Sequence, residues 1–209
     1  MESLEVKLDS DEEKYFMWFL EELRAEGYVK DFTMQPPAFR LSDEISYIWN
    51  KAKPTKKEPH RMERKESVML EASEYTTDAH IIWTNKADGI FYTLNEPTKY
   101  GCPLFIAHLI LRDGETNAES YVEVKPKFDM QNMTRLFVTK QKWIYQLYKV
   151  YINLFIPDKG FPKLFTPQMC IATMVYVKTT KTKRGMKYRG DSKITWNVKT
   201  LNEYVNTKL

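Results

Sequence analysis

The sequence has little cysteine and little glycine, since its 209 residues include two cysteines and seven glycines. Two cysteines make no disulfide framework, and the acidic start resembles neither a signal peptide nor a transit peptide. We therefore expect Cys102 and Cys170 to be free thiols in a reducing cytoplasm. No apolar run approaches the roughly 20 residues of a membrane-spanning helix, so we expect no membrane partner.

Several chemical motifs are also missing. The sequence contains no glycine-rich phosphate loop, no C-x-x-C pair and no nucleophile elbow. A P-loop NTPase, a zinc finger and a serine hydrolase therefore have no support, and we expect no nucleotide cofactor. No internal repeat or flexible linker divides the chain, which predicts a single domain over residues 1–209.

Charge is unevenly distributed, although the formal net charge is only +4. Residues 1–50 hold 12 acidic and 5 basic side chains, residues 51–65 hold 7 basic and 2 acidic ones, and residues 178–209 hold 9 basic and 2 acidic ones. One such run is as often a solvated loop, but two basic segments favour a nucleic-acid partner. The candidate DNA-binding side chains are Lys56, Lys57, Arg61, Arg64, Lys183, Arg184, Lys187 and Arg189.

Hydrophobic spacing predicts two long helices and several strands. The first helix covers residues 10–26, with a Ser10–Glu13 cap, and the second covers residues 134–155. Basic residues 51–65 are predicted to form an exposed loop. Strands are predicted at 28–35, 67–72, 74–84, 104–111, 119–126 and 169–177, the fourth and fifth forming a hairpin. This order predicts an α/β or α+β fold with a central mixed β-sheet flanked by helices.

An acid and a base fall on one face of a predicted half-buried strand, "SYVEVKPKF". Strand side chains alternate, so Glu123 and Lys125 point away from the valines beside them. Asp78, in "YTTDAHIIW", lies on the polar face of the strand before. Two carboxylates and the main-chain carbonyl of Val124 would make an oxygen site suited to Mg²⁺, where a lysine can act on the attacking water. For the Glu–Lys fragment alone, a solvated surface pair is the common alternative.

The order of these motifs resembles the PD-(D/E)xK nuclease superfamily, with its restriction-endonuclease-like fold. Asp78 and then Glu123-Val124-Lys125 match its central motif, and Gln141 and Tyr145 in "QKWIY" resemble the Q-x-x-x-Y motif of its recombination-exonuclease branch. "MQPPAFRL" and "YTTDAHI" are similar to segments of phage-encoded endonucleases and of a transposon end-cleaving endonuclease. The resemblance covers roughly residues 9–155.

The resemblance implies a metal-dependent DNA nuclease in phage DNA processing, recombination or degradation, in the host cytoplasm if phage-encoded. Endonuclease action is the favoured interpretation, and the sequence leaves exonuclease action open. Asp78, Glu123, Val124 and Glu13 would hold Mg²⁺, for which Mn²⁺ can substitute, and Lys125 would act on the water. Gln141 and Tyr145 would support substrate or site geometry. The partner would be DNA, and a homodimer is compatible with the resemblance.

Some choices stay open in the sequence. Only the S-x-x-E spacing favours Glu13 over Glu12, and Asp113 is a weaker alternative to Asp78. The 45 residues from Asp78 to Glu123 would include an inserted loop and hairpin at 85–118. His80 shares the polar face and would contact metal or phosphate, although a lone histidine is more often a structural hydrogen-bonding residue.

Two other functions compete with the nuclease. One is a non-catalytic nucleic-acid-binding protein on the same fold, in which the acids form no metal site. The other is a protein-interaction factor that uses the acidic first 50 residues. Dependence on metal distinguishes a nuclease from the non-catalytic binding protein. Loss of DNA affinity with salt distinguishes these two DNA-binding functions from the protein-interaction factor.

Overall fold

The computed structural model describes residues 8–94, 104–112, 114–126, 133–173, 179–182, 185–188 and 198–208. It has a mixed α/β architecture with a multi-stranded sheet and a few helices, as predicted. The chain divides into two compact units, the first made of Met1–Pro36 with Thr77–Leu209 and the second of Pro37–Thr76. Within the described residues, no helix is both long enough and apolar enough to cross a membrane.

The first unit contains all the helices of the described chain and most of its strands. Its helices are α1 (Asp11–Ala25), α2 (Met133–Tyr148), α3 (Pro157–Gly160), α4 (Gln168–Ala172) and α5 (Leu201–Asn206). Its strands are β1 (Val29–Met34), β6 (Ala79–Trp83), β7 (Tyr92–Thr93), β8 (Phe105–Ile106), β9 (His108–Arg112), β10 (Glu115–Val124), β11 (Ile152–Phe155), β12 (Thr179–Thr182) and β13 (Gly185–Tyr188).

Helix α1 follows the signals in its sequence. The Ser10 side chain accepts a hydrogen bond from the Glu13 N–H at its start, and Gly27 adopts a φ of 75° just after its end. Its apolar stripe, from Phe16 to Leu23, is fully buried. The predicted first helix is therefore confirmed, because local capping and one amphipathic face both specify it.

The central sheet is mixed, as predicted. Strands β1, β6 and β10 are antiparallel neighbours, and β10 also pairs parallel with β11. Residues 115–119 of β10 pair with β9, whereas residues 121–124 pair with β11. Because β6 occupies the opposite edge at residues 118–122, β9 and β11 follow one another along the same edge of β10. The β9–β10 hairpin therefore belongs to the central sheet.

Aromatic side chains join α1 to this sheet. The Phe16 ring lies 4.7 Å from the Phe155 ring of β11, and the Phe19 ring lies 4.7 Å from Phe165. Val122 and Val124 of β10 face the same core. This packing fixes the start of α1, and with it Glu13, relative to the C-terminal end of β10.

Two sequence predictions are wrong in this unit. The predicted helix 134–155 ends at Tyr148, because Lys149 has a left-handed φ of 59° and residues 152–155 pair with β10 as β11. Among the described side chains of α2, Phe137 and Ile144 are buried, whereas Trp143 and Leu147 are exposed. The predicted strand at 169–177 is helical up to residue 172, and 174–177 lie outside the described residues.

The second unit consists of two strand pairs. Its strands are β2 (Phe39–Ser42), β3 (Ile45–Ala52), β4 (Met62–Leu70) and β5 (Ser73–Tyr75). Strands β2 and β5 are antiparallel, and β3 and β4 form a hairpin whose turn spans residues 53–61. The predicted basic loop 51–65 is thus the exposed end of this hairpin, with both strands contributing to it.

Candidate active site

Two adjacent strands bring Asp78 and Glu123 to one face of the sheet. The register pairs Ala79 with Val122 and His80 with Tyr121, so Asp78, directly before β6, lies next to Glu123. The Asp78 carbonyl oxygen accepts a hydrogen bond from the Gln35 N–H at 2.9 Å, which holds this turn against the end of β1. Residues 45 positions apart are thereby brought together by strand pairing.

The side chains of the predicted motif are in direct contact. Asp78 Oδ2 accepts a 2.6 Å hydrogen bond from the Val124 N–H, and Lys125 Nζ lies 2.6 Å from Glu123 Oε1. Glu123 Oε2 is buried, and among the described residues it has no hydrogen-bond partner. The strand was expected to be half-buried, but residues 118–124 are buried on both faces, so the Glu123 carboxylate is withdrawn from water.

The surroundings of Asp78 disfavour its negative charge. Burial first, and then the nearby charge of Glu123, raise the pKa of Asp78 to about 7. The hydrogen bond from Val124 and the charge of Lys125 act in the opposite direction. Two carboxyl groups this close are stabilised by a proton or a cation placed between them.

Glu13 lies near this pair, since its charge also contributes to raising the pKa of Asp78. Its side chain is buried, whereas Glu12 is half-buried. One Glu13 oxygen accepts from the Ser10 hydroxyl at 2.9 Å, and the other accepts from the Asp9 N–H at 3.2 Å. Of the two acids that the sequence left open, Glu13 is the buried one, and its place at a metal site stays a prediction.

The donor set fits a hard divalent cation held by few protein ligands. Within the described ranges, no group of three His, Cys, Asp or Glu side chains is arranged to hold a metal ion. Mg²⁺ commonly uses only one or two carboxylates together with water and substrate phosphates. The unpartnered Glu123 Oε2 and the crowded Asp78 carboxyl suit that kind of site.

Gln141 and Tyr145 occupy different surroundings. The Gln141 side-chain amide donates a hydrogen bond to the Ile152 carbonyl, so it fastens α2 to β11. The Tyr145 side chain is 45% exposed on the same helix. Within the part of the chain that the structure describes, neither side chain hydrogen-bonds to Asp78 or Glu123.

A second polar cluster on the same face was not predicted as a group. His80 Nε2 lies 2.7 Å from Glu119 Oε2, and Arg112 donates to both Glu119 oxygens, from Nε at 2.8 Å and from Nη2 at 3.0 Å. The His80 ring stacks on Tyr121 at 4.5 Å, and burial lowers the pKa of His80. His80 therefore has the structural hydrogen bond that the sequence offered as the alternative to a metal or phosphate contact. The same alternation of strand side chains that put Glu123 on the polar face of β10 also puts Glu119 on that face, and this signal was present in the sequence.

The basic candidates divide into described and undescribed residues. Lys56, Lys57 and Arg61 are exposed in the β3–β4 turn, and Arg64 is exposed in β4. Three candidates of the second segment and the alternative acid lie outside the described residues: Lys183, Arg184, Arg189 and Asp113. Lys187 lies in β13, which pairs with β12.

Comparison of the chain with protein-family models, with curated proteins and with solved structures finds no match.

Proposed function

We propose that this chain is a Mg²⁺-dependent deoxyribonuclease of the restriction-endonuclease-like fold that hydrolyses phosphodiester bonds within DNA. The observation that carries the proposal is the contact of Asp78 with Val124 and of Glu123 with Lys125 at one end of β10, with one buried Glu123 oxygen left unpartnered. This arrangement supports the Asp…Glu-x-Lys motif. A role in phage DNA processing, recombination or degradation belongs to the same proposal.

Asp78, Glu123 and the Val124 carbonyl would hold the metal, with Glu13 in support. When bound, Mg²⁺ supplies charge neutralisation at the phosphate and lowers the pKa of a water molecule. Glu13 holds its carboxylate in place through Ser10 and Asp9, and Asp78 is held through the Val124 N–H. These bonds orient the acids before substrate arrives.

Lys125 would orient the attacking water and donate to the negative charge that develops on the phosphate. Its Nζ is held by Glu123 Oε1 at 2.6 Å, and its side chain is only 23% exposed. A cation held by a buried carboxylate keeps its position and needs little reorganisation during the reaction. Removal of one such group commonly lowers the rate about 10²–10⁴-fold.

The experiment compares wild type with Lys125→Ala on supercoiled, linear duplex, single-stranded and branched DNA, in Mg²⁺, in Mn²⁺ and in EDTA. We expect metal-dependent cleavage by the wild type, and loss of about 10²-fold or more in the variant. Lys30→Ala is the matched control, because Lys30 forms a 2.7 Å ion pair with Glu115. Glu115 begins β10, whereas Glu123 lies near the other end of that strand. Equal cleavage by wild type and Lys125→Ala would count against the proposal.

A non-catalytic nucleic-acid-binding protein is the second candidate. It is favoured by one observation, that no three-ligand metal group is found among the described residues. It predicts salt-sensitive DNA binding that neither Asp78→Ala nor Lys125→Ala changes, with no cleavage in any metal.

A further inference from the structure

A half-exposed arginine is held rigidly beside the candidate active site. The Arg112 side chain is 50% exposed, but the carboxylate that it binds, Glu119, is completely buried. Two Arg112 nitrogens are used, Nε toward Glu119 and Nη2 toward both Glu119 and the Tyr121 hydroxyl at 3.3 Å. A bidentate contact of this kind fixes the orientation of the guanidinium plane.

The third nitrogen of the guanidinium has no role within this cluster. Every hydrogen bond that Arg112 makes to a described residue uses Nε or Nη2. Within the described part of the chain, Nη1 therefore has both of its N–H groups available for another acceptor. Planar, oriented N–H donors of this type match the oxygens of a phosphate group.

The cluster and the candidate active site share one face of β6 and β10. Glu119, Tyr121 and Glu123 alternate along β10, and His80 and Asp78 do so across from them. Glu119 lies roughly 13 Å from Glu123 along the strand, and Arg112 reaches toward the site as far as Tyr121. A DNA backbone that reaches the acids would continue past the guanidinium.

We propose that Arg112 binds a DNA phosphate next to the one that is cleaved, with Glu119 and His80 as the groups that position it. The inference rests on the proposed nuclease function and adds a substrate contact to it. Glu119 is completely buried and does not contact solvent, so we assign it the function of holding Arg112. His80 lies 2.7 Å from Glu119 Oε2 and contacts the same carboxylate. Arg112 makes no contact with Asp78, Glu123 or Lys125 among the described residues, so its contribution is to binding.

The test measures equilibrium binding of a short fluorescein-labelled DNA duplex by anisotropy across a range of KCl concentrations. EDTA is present throughout, so that cleavage does not contribute. We expect Arg112→Gln to weaken binding about tenfold and to reduce the slope of log K against log[KCl] by up to about 0.9, the value for one phosphate contact. Arg24→Gln is the matched control, because Arg24 is 49% exposed and is ion-paired with the exposed Asp31 and not with a buried carboxylate.

A double variant separates a phosphate contact from a change in net charge and from misfolding. Arg112→Gln combined with Glu119→Gln keeps the wild-type net charge and leaves no unpaired buried carboxylate. We expect it to bind about as weakly as Arg112→Gln. Wild-type affinity in the double variant would overturn the inference, and so would a loss of affinity in Arg24→Gln equal to that in Arg112→Gln. Neither outcome would count against the proposed nuclease function. A wild-type protein that binds no DNA in EDTA and cleaves none in Mg²⁺ would overturn both proposals.

Discussion

Asp78 lies in surroundings that disfavour its charge, and this makes the metal-free protein sensitive to pH. Its pKa is raised from 3.8 to about 7 by burial and by Glu123. A carboxyl group with a raised pKa in the folded state stabilises that state fully below its unfolded pKa, and the contribution is lost as pH rises through the folded pKa. The metal-free protein should therefore lose stability between about pH 4 and about pH 7.

Asp78→Asn tests this directly, because asparagine keeps the shape and carries no charge. In EDTA, the variant should gain about 2–4 kcal/mol over wild type as pH rises from about 5 to about 8. Addition of Mg²⁺ at about pH 8 should raise the melting temperature of the wild type and leave the variant unchanged, since a bound cation stabilises the ionised carboxylate. Thermal unfolding by circular dichroism measures both. The same stability difference at every pH would contradict the raised pKa of Asp78.

Alternation along a strand predicted which residues share a face, but it did not predict which side chains of neighbouring strands contact them. Glu123 and Lys125 were predicted on one face, and their 2.6 Å ion pair is consistent with that placement. Glu119 has the same parity but attracted no prediction, because its partner Arg112 lies on a neighbouring strand. Register between strands depends on turn geometry and on the whole sheet, neither of which the local sequence determines.

Among the elements, those with local signals were predictable and those defined by distant partners were not. Helix α1 has a cap, one apolar stripe and a glycine stop, and its predicted bounds are nearly correct. Residues 149–155 continue an apolar pattern that suits a helix or a buried strand equally well. Parallel pairing of Leu154 with Glu123 and of Phe155 with Val124 decides for a strand.

Gly160, at the end of α3, is predicted to admit no side chain. A Cβ atom there would fall well inside contact distance of the Phe155 ring. That ring is buried against Phe16 and Phe161, so it has little room to move. Gly160→Ala should therefore lower the free energy of unfolding by about 1–3 kcal/mol, as measured by urea denaturation.

Lys163→Ala is the surface control for this change, since Lys163 is exposed three residues further on. It should alter the free energy of unfolding by less than about 0.5 kcal/mol. An unchanged midpoint in Gly160→Ala would indicate that Phe155 can move aside. Because Phe155 pairs with Val124, the same variant should also lower cleavage if the strain reaches the candidate active site.

At the scale of the whole molecule, the order of the predicted helices and strands indicated a mixed α/β protein, but it did not predict how the chain is divided. The single domain over residues 1–209 stays a prediction, and residues 37–76 form a compact unit of their own. The strands of this unit lack a regular alternation of apolar and polar residues. Large apolar side chains such as Ile48 and Met62 are more than half exposed. Sequence patterns that assume one core give no signal for such a unit.

The basic end of the β3–β4 hairpin should account for part of the salt dependence of DNA binding. Each phosphate contact contributes about 0.9 to the slope of log K against log[salt] on duplex DNA. Lys56→Ala with Lys57→Ala should therefore lower that slope by up to about 1.8. Lys163→Ala with Lys208→Ala removes the same charge from the first unit and should change the slope less. Equal effects of the two pairs would assign the dependence to net charge alone.

The acids of the candidate active site come from positions 13, 78 and 123, and this has a consequence for the order in which the protein folds. The β9–β10 hairpin needs only contacts between residues close in sequence, so it can form early. Pairing of β10 with β6 and β11, and docking of α1, close much longer loops and are slower. A growing or partly unfolded chain therefore does not yet bring the three acids of the candidate active site together, and they meet only when the last long-range contacts form.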